Sequence, residues 1–438
     1  MIEQIEQPEK WYQNSILFKL AIITLLILLL LIPQSWIQDL IVERQYSQEQ
    51  NVKNVTDQWS GSQLVQGPVL MIPYKSPAVP GKPEVINYLY VLPQSLQIKA
   101  GIVAEPFKKG LVNVNVYNAK VDLKGNFNQP DLSKQSIDPA LVMYDKAKLM
   151  FSLSDLKGLK NNPGVKIQGQ VYPSEPVTEQ GGILNNGMQV DFAMPQSGAI
   201  AFNFTMNVKG SNQLEFLHIG KTTDVEVSSK WESPLYIGRN TPDNRVPNAN
   251  GFDAKWHMLY YNRPFPQQWV NDLDVLKNNK DKLDASFGVR LQITIDDYRK
   301  VTRTAEYATL IILLTFVSLL LTELIRKQRI HLFNYTLIGA AMIVFYLLLL
   351  SFSEKVGYNI SYLIASVSTI GLIAAFTASL FQNKIAAMLF ALILTIFYGF
   401  IFIIIQLEDF ALMVGSIALF AIVAALMYFS RKINWDKH

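Results

Sequence analysis

The 438-residue sequence predicts an α+β membrane protein: a six-helix transmembrane bundle plus a large, mainly antiparallel, sandwich-like β domain on the extracytoplasmic side. Three observations predict it. Half of the residues are apolar, and a mean hydropathy of +0.17 is what a soluble protein joined to a membrane protein would have. Those apolar residues are segregated, with one run at 16–32 and the others crowded between 307 and 430. The stretch between, 33–306, alternates apolar and polar residues with the period of half-buried strands.

A bilayer core of about 30 Å is crossed by about 20 apolar residues at 1.5 Å each. On that measure the six spans are 16–32, 307–325, 333–352, 360–381, 385–405 and 410–430. The first is expected to be an uncleaved signal anchor, because its run exceeds the usual h-region and Pro33-Gln34-Ser35-Trp36 offers no small-residue cleavage site. Trp11, Trp36 and Trp435 flank spans, where indole rings favour the headgroup layer. The stretch 333–381 holds 49 residues, too many for one crossing and enough for two, with Ser353-Glu354-Lys355 between the halves. Placing Glu354 and Lys355 at the bilayer centre costs about 2.5–3.5 kcal/mol each on insertion scales. A turn over 353–359, helped by Gly357 and Asn359, is therefore predicted.

Orientation follows from Lys and Arg in the short loops. With the N-terminus in the cytoplasm, the inner segments contain Lys10, Arg326, Lys327, Arg329, Lys384, Arg431, Lys432 and Lys437, and the outer turns only Lys355. Glu3, Glu6 and Glu9 in the N-tail, and Arg299, Lys300 and Arg303 before the second span, run against the rule, but long translocated domains largely escape it. The expected layout is a cytoplasmic N-tail (1–15), an anchor (16–32), a periplasmic β-rich domain with helical stalks (33–306), five spans (307–430) and a cytoplasmic C-tail (431–438).

In the β domain, Ile200, Phe202, Phe204, Met206 and Val208 alternate with polar or small residues, as do Val289, Leu291, Ile293 and Ile295. Further strands are expected in VINYLYVL, VKIQGQVY, MQVDFAM and TDVEVSS, separated by Pro, Gly and Asn. In VNVNVYNAKVDL the apolar phase moves from Val112, Val114 and Val116 to Val121 and Leu123, which predicts a bulge or a change of face near Tyr117 and Asn118. Ile37, Leu40, Ile41, Val52, Val55 and Trp59 recur at helical spacing, so a stalk is expected to extend the first span. DDYRKVTRTAEYATL reads as a second stalk, leading into the next span. With no cysteine, no disulfide contributes.

Motif chemistry is sparse. The four histidines, His218, His257, His331 and His438, show no metal-ligand spacing, and without cysteine a zinc site would need carboxylates with distant histidines. His257, in KWHMLYY, reads as a strand residue. HIGKTT resembles the end of a P-loop, but Glu215 stands where the first glycine belongs, so it reads as a turn. Ser154 and Lys157 in SDLK have the spacing of a serine–lysine pair, a match short enough to arise by chance. No Gly-x-Ser-x-Gly occurs in this domain, and no kinase or Rossmann signature occurs anywhere. No catalytic, metal or cofactor-binding residue is assigned, and no cofactor is expected.

The last three predicted spans contain no Asp, Glu, Lys, Arg or His, and Lys19 and Glu323 lie near span ends where both can snorkel. That argues against an ion-coupled pump and for a packed helical anchor in the lipid bilayer, with small residues such as Gly339 easing close approach. A net charge of +4, spread along the chain, leaves no nucleic-acid footprint. The region 236–269 concentrates Arg239, Arg245, Arg263, Phe252, Trp256 and Trp269 among prolines and asparagines. Aromatics and arginines make good interface anchors and are also ordinary core residues; these six are the candidate partner-binding set.

WESPLYIGRNTPDNR with the following GFDAKW and PQQW, then DDYRKVTRTAEYATLIILLTF, and above all NYTLIGAAMIVFYLLLLSFSEKVGYNISYLIAS, resemble the CreD family of bacterial inner-membrane proteins; an early GPVLMIPY also fits. The resemblance covers nearly the whole chain. The family commonly has Lys at Glu306, a His-Pro-x-Gln-Tyr pattern at 331–335 and His at Lys355, so no charge-based role is carried over to those positions. The resemblance implies an inner-membrane protein tied to cell-envelope integrity, envelope stress, colicin tolerance and a sensor–regulator regulon, and it implies no reaction. Non-catalytic binding or scaffolding of an envelope protein or ligand by the periplasmic domain is the expectation. One rival is a membrane-bound hydrolase, which would show a pocket with converging Ser/Lys, His or paired carboxylates. The other is a lipid or small-molecule transporter, which would show a polar cavity among the helices.

Overall fold

The computed structural model describes residues 16–77, 83–109, 112–177, 182–248, 251–291, 297–326, 330–381, 384–407 and 410–430. The predicted tails 1–15 and 431–438, with every residue named in them, lie outside the described residues, as do Ile293, Ile295, Lys327 and Arg329. The chain divides into two compact units, Met1–Gln48 with Ile295–His438, and Glu49–Thr294.

The second unit is built on strands. In chain order they are β1 (Gln63–Lys75), β2 (Ile86–Val91), β3 (Ser95–Lys109), β4 (Val112–Phe127), β5 (Ala147–Leu153), β6 (Gly164–Ile167), β7 (Gln170–Pro173), β8 (Glu175–Pro176) and β9 (Gly187–Phe192). There follow β10 (Ile200–Ser211), β11 (Gln213–Leu217), β12 (Thr222–Ser229), β13 (Pro234–Gly238), β14 (Asn244–Asn248), β15 (Gly251–Leu259), β16 (Gln268–Val270) and β17 (Ser286–Leu291). One sheet runs β13-β17-β11-β1-β5-β9-β8, with β2 against β1 and β16 against β2; the other runs β14-β15-β12-β3-β4-β10-β6-β7.

Both sheets are mixed, which refines the antiparallel expectation. Each contains a parallel pair, β1 with β11 and β3 with β12, within a mainly antiparallel ladder. Period-two patterning cannot reveal this, because parallel neighbours are set by a distant crossover rather than by a local turn. The sheets pack face to face: Phe151 of β5 meets Phe204 of β10 with ring centroids 4.6 Å apart, and Trp256 of β15 meets Phe287 of β17 at 5.5 Å. The Tyr117 hydroxyl of β4 crosses between them, donating to the Gln213 carbonyl of β11 at 2.8 Å.

Strand β4 contains no bulge. Its register with β3 is unbroken from Ser95 opposite Asn126 to Lys109 opposite Val112, and its register with β10 is equally continuous. Tyr117, Ala119, Val121 and Leu123 face the core between the sheets, whereas Val114 and Val116, on the other face, are buried against Val52, Val55 and Trp59. The apolar phase shifts because the cover changes, not because the strand turns over. The end strands β7, β8, β13 and β14 are two to five residues long, and each contains a proline: Pro173, Pro176, Pro234 and Pro247.

The helices are α1 (Ile16–Trp59), α2 (Asn279–Ala285), α3 (Asp297–Glu306), α4 (Ala308–Arg326), α5 (Leu332–Val356), α6 (Tyr358–Phe381), α7 (Lys384–Gln406) and α8 (Ala411–Ser430). Against the six predicted spans, four helices are long and apolar enough to cross a membrane among the described residues: Phe18–Trp59, α5, α6 and α7. A fifth exists only if α3 and α4, bent by 43° at Tyr307, are counted as one span. Within α8 the shorter apolar stretch Met413–Ala424 does not reach that length. Helix α1 passes through Pro33, the expected end of the anchor, and the adjacent Gln34 and Gln38 amides both donate to the Ala305 carbonyl, at 3.0 and 3.3 Å.

The turn between the third and fourth predicted spans shrinks to Gly357, whose φ of +80° suits glycine. Glu354 and Lys355 therefore occupy the last turn of α5, where the Tyr298 hydroxyl donates to Glu354 at 2.9 Å. Inside the helical unit Leu30, Phe316, Ile338 and Met342 are buried together, and Gly339 lets Leu30 approach closely: a Cβ on it would lie 2.4 Å from Leu30 Cδ1, so the leucine would have to shift. The outward faces are just as apolar, with Leu25, Leu363, Val367, Leu389 and Ile396 exposed, the pattern of helices solvated by hydrocarbon. Lys19 and Glu323 do not snorkel separately. They form an ion pair, to which the Tyr335 hydroxyl donates at 3.1 Å, while the ammonium also reaches the Ile330 carbonyl at 3.2 Å.

Candidate functional site

On the face of the second sheet turned away from the core, register aligns polar side chains from five strands into two rows. One holds His257, Asp224, Gln97, Lys124 and Asn203; the other holds Lys255, Glu226, Lys99, Asp122 and Thr205. At about 4.8 Å between strands, each row is about 19 Å long. Two shallow clefts of about 270 Å³ each open on this face and share Gln97 and Lys99.

The first cleft concentrates the chemistry. His257 Nδ1 lies 2.6 Å from Asp224 Oδ1, and the His257 backbone N–H donates to Asp243 Oδ2 at 2.7 Å. The Asp224 carboxylate raises the pKa of the imidazole. Glu226 sits between Lys255 at 3.1 Å and Lys99 at 3.2 Å, and those two ammonium groups lower its pKa. Each charge thus has its counter-charge alongside. In the second cleft the Thr205 hydroxyl donates to Asp122 at 2.5 Å. The His257 side chain is 57% exposed, so its proton is held in water rather than in a desolvated pocket. The residues lining the first cleft include no hydroxyl or thiol nucleophile, and among the described residues no set of three His, Asp or Glu side chains is placed to hold a metal.

The six predicted partner-binding residues are scattered. Phe252 and Trp256 are buried between the sheets, each edge-on to Tyr236, and the Trp256 indole N–H donates to the Asn240 carbonyl at 3.0 Å. Arg245 joins this group by lying over the Tyr236 ring at 5.9 Å. Arg239 is elsewhere, paired with Asp284 at 2.9 Å. Trp269 is buried and stacks on Tyr90 at 5.6 Å. Arg263 is buried too: it donates to the Ile219 carbonyl and to Gln267, lies over Tyr260 at 5.0 Å, and has its pKa pulled down to about 10 by burial. Four of the six therefore serve the interior of the unit, leaving Arg239 and Arg245 accessible.

Other sequence features resolve into local structure. His218 is buried, with Nδ1 3.0 Å from Thr223 Oγ1 and Nε2 3.1 Å from the Leu259 carbonyl; burial chiefly, with the Arg263 charge, brings its pKa down to about 4. Ser154 accepts from the Leu64 N–H at 2.6 Å, and Asp155 caps the turn at Lys157, so serine and lysine do not act as a pair. Sequence reasoning missed Lys99, Asp224, Glu226 and Lys255. The signal was the charged alternate residues of TDVEVSS and KWHM, but only strand register could bring them together.

A family model described as Inner membrane protein CreD matches residues 15–436. The chain is 26% identical over 421 residues to Inner membrane protein CreD of Escherichia coli (strain K12), a match covering 93% of this chain and 91% of that protein. Among solved structures, Legionella pneumophila aminopeptidase A in complex with aspartic acid is similar at TM-score 0.20 and 10% identity, over 41% of this chain and 21% of its own. An M1 zinc metallopeptidase from Deinococcus radiodurans is similar at TM-score 0.19 and 8% identity, over 42% of each chain. At these scores neither peptidase informs the fold or chemistry of this chain.

Proposed function

Because the chain belongs to the CreD family of inner membrane proteins, we propose that it supports cell-envelope integrity and the envelope stress response by non-catalytic binding, its β unit displayed on the periplasmic side. The observation that carries this reading is the two-row polar face. It offers donors, acceptors and charges of both signs across five strands, with His257, Asp224, Lys255, Glu226 and Lys99 paired with one another and Lys124, Gln97 and Asn203 presented beside them, as a recognition surface does. Catalysis calls for the opposite arrangement, a group whose proton affinity is poised by desolvation beside an attackable bond. The test is site-specific photocrosslinking in intact cells from Gln97 and Lys124, with Leu283 on α2 as an exposed control. Capture of an identified envelope component at the first two sites and not at the third is the expected result; equal or absent capture sinks the reading.

The hydrolase reading keeps one supporting contact, His257 with Asp224 in a cleft. Without a neighbouring nucleophile it would have to activate water from an open surface, and it ranks second. Loss of an envelope phenotype in His257→Gln alone, with photocrosslinking unchanged, would favour it.

A further inference from the structure

The two halves of the polar face carry opposite surpluses of charge. Toward β12 and β15, Lys99 and Lys255 share Glu226, while Asp224, Asp243 and Asp253 add further carboxylates beside His257. Toward β4, β10 and β6 the balance reverses. Lys120 and Lys124 stand on β4, Lys209 on β10, and Lys166 on β6 opposite Asn203; Lys160 reaches over β10 to the same face. Among the described residues, Asp122 is the single carboxylate that register sets among these five lysines.

The basic surplus is not neutralised within the fold. Asp122 is 3.6 Å from Lys120 and also accepts from Thr205. Lys160 donates to the neutral Asn118 amide oxygen at 3.0 Å, and Lys209 lies over the Trp59 ring at 5.5 Å. Lys124 and Lys166 are exposed and form no ion pair among the described residues. The second cleft opens beside them, lined in part by Lys124, Asn203 and Thr205, and Lys166 stands across Asn203 from Lys124.

The patch is small, and its borders decide what fits. Lys120 and Lys124 are about 14 Å apart along β4, and Lys124 and Lys166 are two strand spacings, about 10 Å, apart across the sheet. Two strands away on the other side, Asp224 and Glu226 begin the acidic half. An anionic bilayer surface or a long acidic glycan laid on the lysines would also lie over those carboxylates, closer than the Debye length of about 8 Å that screens charges, and like charges set face to face are costly. A short run of Asp or Glu on a folded partner, flanked by neutral or basic residues, meets cations on one half without that repulsion on the other.

Resting on the interpretation of this face as a binding surface, we propose that β4, β10 and β6 form the docking site for a protein presenting a short acidic segment. Its carboxylates lie on Lys120, Lys124 and Lys166, and the exposed Asn203 amide donates between them. The probe is a fluorescent peptide with a short glutamate run flanked by lysines, titrated by anisotropy against the full chain in phosphatidylcholine nanodiscs. Lys124→Glu with Lys166→Glu should weaken binding about tenfold or more. Lys230→Glu with Lys280→Glu, which changes net charge equally at exposed positions outside the face, should leave it within about twofold. No binding of the peptide, or equal weakening in both double variants, overturns the proposal. Tighter binding of polygalacturonate or of phosphatidylglycerol vesicles, lost in the Lys124→Glu, Lys166→Glu variant, overturns it in favour of a uniform polyanion. In cells, photocrosslinking from Gln97 should capture about tenfold less of its envelope component when Lys124 and Lys166 are reversed. Undiminished capture overturns this inference and leaves the broader binding function standing; absence of capture in the unaltered protein sinks both.

Discussion

His218 and His257 show how little a residue's letter says about its role. Both were legible as candidates, but alternation does not tell which histidine is enclosed by a neighbouring strand and which is left in water. The consequence for pH is opposite in sign. With its folded pKa at about 4 and an ordinary value of 6.5, His218 stays neutral in the fold while the unfolded chain takes up a proton. Its contribution is therefore complete above pH 6.5 and lost as pH falls through that window, in full by about 3 kcal/mol. Hydrogen exchange of β11 and β12 in the full chain should register this loss between pH 6.5 and 4, and His218→Asn should flatten that part of the profile. An identical slope in the variant would assign the effect to other groups. Gly125 makes a steric prediction at the same scale: a Cβ there would sit 2.1 Å from the Ser95 carbonyl oxygen, so Gly125→Ala should cost about 3 kcal/mol or more. A loss below about 1 kcal/mol in denaturant titration would mean that β3 can yield.

Among the elements, the long apolar helices were the most legible, because hydrocarbon solvation marks every side of them. Their ends were not. Pro33 and the Ser353–Asn359 stretch look like stops, yet α1 continues through the first and α5 absorbs most of the second, and at both places side chains tie the helix to α3, Gln34 to the Ala305 carbonyl and Glu354 to Tyr298. Strand β4 taught the converse: its double apolar phase was visible, but the helix end covering Val114 was not. Trp59→Ala should therefore loosen residues 52–59 and the paired ends of β3 and β4, raising hydrogen exchange there by tenfold or more while β12 is unaffected. The Lys19–Glu323 pair ties α1 to α4 and, through Tyr335, to α5. Lys19→Met alone strands a buried carboxylate and should cost about 3–5 kcal/mol. Lys19→Met with Glu323→Gln keeps an acceptor for Tyr335 and should recover most of that loss in thermal melts in one detergent. Failure to recover would show that the ammonium's own contact with Ile330 matters more than its partner.

Over the whole molecule, the division into an apolar helical part and an alternating β part could be read directly, because each solvent imposes its own period. The parallel pairings and the two-row face could not, since both depend on which distant strands become neighbours. Membrane sidedness is the remaining large-scale prediction: Ser197→Cys, in an exposed loop before β10, should be labelled by a membrane-impermeant maleimide in intact spheroplasts. Labelling only after lysis would place the β unit in the cytoplasm and remove the basis of the proposed function. The proline-bearing, very short outermost strands have a consequence for how such a module keeps company. The rims that end in these strands cannot readily accept another chain by backbone zippering, and β16, the remaining outermost strand, is only three residues long, so copies crowded at a membrane are kept from fusing into a growing ribbon, and a specific visitor is chosen by side chains on a broad surface.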